Sequence, residues 1–160
     1  MPFRPLLLLP AFALATAPAA GQPPRLGAGA AQAIVAGCVR HSTGRNQSHG
    51  IAVVDVGGHL VASLRMDGNG YGIMEFAIAK ARASSAWGGP TAGLAEGARE
   101  VPGFADAPHV VTVPGGVPVF SADGRERLGA VGVSGEAPAD DAACAEAGIA
   151  AAGLRSRRAG

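Results

Sequence analysis

Two apolar runs separated by a glycine pair constrain this chain more than any other feature. Ile51-Ala52-Val53-Val54-Asp55-Val56 is rich in β-branched residues, Gly57-Gly58 follows, and His59-Leu60-Val61-Ala62-Ser63-Leu64-Arg65-Met66 resumes the pattern. β-Branched side chains suit a pleated surface, and adjacent glycines supply the tight turn of an antiparallel hairpin. In the return strand Leu60, Ala62, Leu64 and Met66 share one face, while Val61, Ser63, Arg65 and Asp67 share the other. An isolated hairpin is marginal in water, so the remaining chain must cover it with helices and further strands.

Both are present in the pattern. Residues 26–42 place Leu26, Ala30, Ala33, Ile34, Gly37, Cys38 and His41 at spacings of three and four, which predicts a helix with one apolar face. Residues 72–87 read as a second helix, rich in small residues and stopped by Gly88-Gly89-Pro90. Thr91 is the expected N-cap of a short helix over 92–99. Val110–Val113 is expected as a third strand and Val117–Phe120 as a fourth, the latter short or at an edge because Pro118 has no N–H. Asp123-Gly124 turns the chain into a strand over 127–133, and 139–153 reads as a terminal helix with acids in its first turn. The order predicts an α+β fold: an antiparallel sheet of about five strands flanked by helices in three layers.

Composition narrows the class. Of 160 residues 48% are hydrophobic, enough for one ordinary core. The 25 glycines follow no three-residue period, which excludes collagen, and the long apolar runs exclude a disordered chain. Thirteen basic against twelve acidic residues, with no basic stripe, exclude a nucleic-acid binder. Residues 1–19 carry Arg4, the apolar stretch Leu6–Ala15 and Ala17-Pro18-Ala19, an A-x-A pattern. They read as a secretory signal peptide, leaving one domain over 20–160 with its core at about 26–153, without a membrane span and located in the periplasm or outside the cell. Cys38 and Cys144 are the only cysteines, which permits one disulfide or two buried thiols.

No G-x-S-x-G, H-E-x-x-H or phosphate-binding loop occurs, so no catalytic residue is assigned. His41, His49, His59 and His109 show no metal-ligand spacing. A distinctive set of motifs occurs instead, in this order: IAVVDVGGHLVASLRMDG (Ile51–Gly68), AKA (Ala79–Ala81), GPT (Gly89–Thr91), PGGVPV (Pro114–Val119) and LGAVGVSGEAPADDAACAEAGIAA (Leu128–Ala151). This set resembles the GlcG/HbpS family of haem-binding proteins, related to the C-terminal domain of PduO-type adenosyltransferases, from about Ala31 to Ala151. Glu96 and Glu100 are spaced one residue wider than the acidic D/E-x-x-E motif of some exported relatives.

The resemblance implies a profilin-like α/β domain, a homo-oligomer and haem as cofactor, in the service of haem or iron sensing, storage or protection rather than catalysis. Haem requires an apolar slot, an axial ligand and cations for its propionates. His59 and Thr91 are the candidate iron ligands, with Met66 as a thioether alternative. Arg65 and Lys80 are candidate propionate partners, and Asp67 completes the candidate set. Two other functions fit the same residues: an enzyme or accessory protein whose Arg65, Asp67 and Lys80 hold a small organic carboxylate, and a structural oligomeric subunit.

Overall fold

In the computed structural model, which describes residues 25–160, the hairpin forms as β1 (Gly50–Asp55) and β2 (Leu60–Arg65). The strands are antiparallel, with a register shift beside Val54 that leaves Val61 opposite no partner. Two further strands, β3 (Gly116–Phe120) and β4 (Arg127–Ser134), complete a fully antiparallel sheet in the order β2-β1-β4-β3. Pro118 lies on an edge strand, where a missing N–H costs no ladder bond.

Alternation in the central strands sends side chains to two different layers. Ile51, Val53, Val131 and Val133 face α1 (Ala28–Thr43) and α4 (Pro138–Ala151), where Ile34, Cys38, Cys144 and Ile149 complete the main core. Ala52, Val54 and Ala130 face Ala77 and Ala81 of α2 (Tyr71–Trp87). The fold is therefore α+β in three layers, as expected. The helix α3 (Thr91–Glu100) and a 3-10 turn (Phe104–Asp106) follow α2.

Small residues allow the layers to meet at backbone distance. A Cβ on Gly132 of β4 would overlap the carbonyl of Ala77 and the amide of Ala81. Where α1 crosses α4, a Cβ on Gly37 would lie 2.6 Å from the Cβ of Ala151. Beside that crossing Cys38 and Cys144 form a disulfide, their Cα atoms 4.8 Å apart. Of the two states open to the cysteines, the bridge is the one formed.

Three expectations require correction. The sheet has four strands rather than about five: Val110–Val113 stays irregular. The carbonyl of Val113 accepts from Thr91 Oγ1, the amide of Val110 donates to Ala107, and Pro108 and Pro114 bracket the segment. Thr91 is also not an N-cap; Pro90 holds that position, and the Thr91 hydroxyl turns away from its own helix. Third, α2 begins one residue earlier and α4 ends two residues sooner than the periodicity indicates. Residues 1–19, read as a signal peptide, lie outside the described residues. Among the described residues no helix is long and apolar enough to cross a membrane.

Candidate functional site

The β1–β2 turn is built around one carboxylate. Asp55 Oδ1 accepts from the amides of Gly57 and His59, each at 2.9 Å, and Gly58 takes a positive φ of 78°. The same carboxylate reaches the imidazole of His59, with Nδ1 at 3.2 and 3.3 Å from its two oxygens. Burial pushes the Asp55 pKa up, but the hydrogen bonds from His59 and Gly57 outweigh it and hold the carboxyl below its ordinary value. An ionised Asp55 accepts from Nδ1–H, which favours that tautomer and leaves Nε2 of the neutral His59 ring with an open lone pair.

His59 borders a cleft. Val56, Gly57, Gly58, His59, Arg82, Ala86 and His109 line a cavity of about 300 Å3. Arg82 and His109 also line a neighbouring cavity of about 320 Å3 with Glu75, Ile78, Ala79, Val110 and Val111. Arg82 Nε donates to Gly58 O at 3.3 Å, which ties α2 to the turn. The opposite wall is pinned by Trp87, whose Nε1 donates to Pro108 O at 3.2 Å and whose ring meets Phe104 edge-on at 4.9 Å. His109 follows at φ 59°, a left-handed conformation that residues other than glycine rarely adopt. Two imidazoles and a guanidinium thus line one cleft, with Val56 and Ala86 as its apolar members.

The other expected site residues lie elsewhere, in two groups. Arg65, Met66 and Asp67 stand at the far end of β2, about 20 Å from His59 at roughly 3.3 Å per residue. Together with Ser48 and Leu64 they line a separate cavity of about 430 Å3. Arg65 Nη1 donates to the carbonyl of Asn69, not to Asp67.

Lys80 and Thr91 come together in the interior, 1% and 0% exposed. Lys80 Nζ donates to Asp141 Oδ2 at 2.8 Å and to Val133 O at 3.0 Å. Thr91 Oγ1 donates to Val113 O at 2.8 Å and accepts from the Gly116 amide at 3.0 Å. Gly115 and Gly116 lie between them; a Cβ on Gly115 would sit 2.8 Å from Lys80 Nζ. The AKA, GPT and PGGVPV motifs therefore interlock as one buried knot. Arg65, Asp67 and Lys80 do not converge on a common pocket.

Behind Lys80 the polar chain continues. Asp141 Oδ1 accepts from the Glu136 amide at 3.1 Å and faces His49 Nε2 at 3.5 Å. His49 Nδ1 lies 2.8 Å from Ser42 Oγ, itself 3.1 Å from the Cys144 sulfur. This Ser–His–Asp order has a catalytic look, but Ser42 and His49 are both fully buried, so no substrate reaches them. Among the described residues no three His, Cys, Asp or Glu side chains gather as a metal site.

The sequence pattern singled out neither Arg82 nor, beyond its lack of metal-ligand spacing, His109. Neither carries a local signal, because only the tertiary fold brings 56–59, 82 and 109 to one place. The D-x-G-G-H spacing from Asp55 to His59 did carry one: an Asp four residues before a His, across a turn, is placed to hold the ring.

A family model described as "Haem degrading protein HbpS-like" matches residues 26–150. The chain belongs to the HbpS-like family. Solved structures agree with that placement. HbpS of Streptomyces reticuli, as a double mutant, is 29% identical, with 88% of this chain and 97% of that one aligned at a TM-score of 0.74. A PduOC–haem complex is 22% identical over 84% of this chain and 99% of its own, at a TM-score of 0.76. The Klebsiella pneumoniae protein ORFY is 22% identical over 86% and 97%, also at 0.76. At 22% identity these last two show a shared fold. No curated protein sequence matches the chain.

Proposed function

We propose that this HbpS-like protein is an exported haem-binding protein and that haem is held in the cleft between the β1–β2 turn and α2. The observation that carries the reading is the Asp55–His59 pair, an imidazole held by a carboxylate at one nitrogen and open at the other. Iron-ligating histidines characteristically donate their second nitrogen to such a partner, which orients the ring and raises its basicity.

The donor set fits the group. His59 would hold the iron through Nε2, with His109 as a second imidazole on the same cleft. Arg82 would pair with a propionate, and Val56, Ile78, Ala86, Val110 and Val111 would exclude water from the ring faces. When bound, haem supplies a redox-active iron whose potential follows its axial ligand and the bonds made to it. Asp55 keeps His59 in the ligating tautomer, and the Trp87–Phe104 contact keeps the His109 loop in place.

Export is supported by the signal-like residues 1–19 and by the disulfide, which persists in oxidising compartments. Self-association is supported by the exposed side chains of Tyr71, Phe76 and Val101.

Titration of the chain with hemin tests the reading. A saturable Soret band is expected, shifted or lost in His59→Ala and displaced to a lesser extent in Asp55→Asn. A spectrum identical to the wild type in both His59→Ala and His109→Ala overturns the assignment.

A further inference from the structure

We propose that the groove between α1 and β2 binds a linear aliphatic carboxylate of the fatty-acid class, at a site separate from the cleft assigned to haem. Val35, Val39 and Arg40 of α1 and Val61 and Leu64 of β2 line a cavity of about 580 Å3. Val39 and Leu64 also line the cavity that Ser48, Arg65, Met66 and Asp67 bound, so the two cavities share these two lining residues.

Its chemistry selects the occupant. The larger cavity is lined mainly by aliphatic side chains, with Gln32, Arg40 and Ser63 as its polar members, and carries no Asp or Glu, whereas Asp67 lines the smaller one. Leu64 is 41% exposed, leaving apolar surface in water. At the rim the Arg40 guanidinium pairs with no carboxylate among the described residues. One negative charge on an apolar tail complements this arrangement. No imidazole or aromatic ring lines either cavity, which disfavours a flat metal chelate there. Each buried tail methylene strengthens binding roughly fourfold.

The test is isothermal titration of the full chain, haem-free and haem-loaded, with dodecanoate below its micellar concentration. One site per chain is expected, with octanoate at least tenfold weaker. Arg40→Gln and Leu64→Gln should each weaken dodecanoate binding at least tenfold while circular dichroism shows unchanged melting. The Soret titration should be unaffected by dodecanoate. Absence of saturation, equal affinity in both variants, or displacement of haem by dodecanoate overturns the proposal. Dodecanoate binding without any Soret band sinks the haem assignment and leaves this site standing.

Discussion

His49 is an imidazole enclosed on every side, and its position has a consequence for acid stability. Burial lowers its pKa below the ordinary 6.5, against the opposing pull of Asp141 and Glu136. The folded protein therefore binds fewer protons here than the unfolded chain. The stability tied to His49 is complete above pH 6.5 and falls as the pH drops below that value. Urea unfolding at pH 7 and pH 5.5 should show this loss, and His49→Gln should flatten the slope whatever its absolute stability. Lys80 and Asp141 pose a related problem, since a lone charge in that place has no water to turn to. Lys80→Met leaves Asp141 with the Glu136 amide and His49 only and should cost about 3–5 kcal/mol by denaturant titration. The double variant Lys80→Met with Asp141→Leu should recover part of that loss.

Helix α2 rests on β4 through backbone atoms, and Gly132 is the reason it can. In Gly132→Ala the new methyl group meets a carbonyl and an amide of α2, which move only with the whole helix. A loss of at least about 1–3 kcal/mol is expected, read as a lower melting temperature. Packing of this kind explains which elements the chain announces. The hairpin could be read because turn chemistry and strand alternation agree within eighteen residues, Ile51 to Gly68. Helices α1, α2 and α4 were readable from small and apolar residues at helical spacing. Val110–Val113 has strand composition, yet a side chain from α3 takes one of its carbonyls, and nothing local reveals that competition. Thr91 misled for the same reason: its hydroxyl answers to Val113 and Gly116 rather than to its own helix. The cleft was half readable. Asp55 and His59 advertise each other along the chain, while Arg82 and His109 meet them only after folding.

Across the three layers, the α1–β2 groove and the His59 cleft open on opposite sides of the sheet. Neither depends on the other for its walls, so each can be altered by itself. The disulfide acts on the molecule as a whole. It joins residues 106 apart and so restricts about two thirds of the 160-residue unfolded chain. Cys38→Ala with Cys144→Ala should lower the unfolding free energy by about 4–5 kcal/mol in the chain-entropy model, measured by denaturant titration, with no further loss when a dithiol is added. The bridge also sets an order of events. Cys38 belongs to α1 and Cys144 to α4, so during synthesis the earlier thiol has no native partner until the chain has grown by a further 106 residues. A nascent copy that meets an oxidant too soon can only bond to a neighbour, and the yield of correctly paired protein should fall as the crowding of growing chains rises.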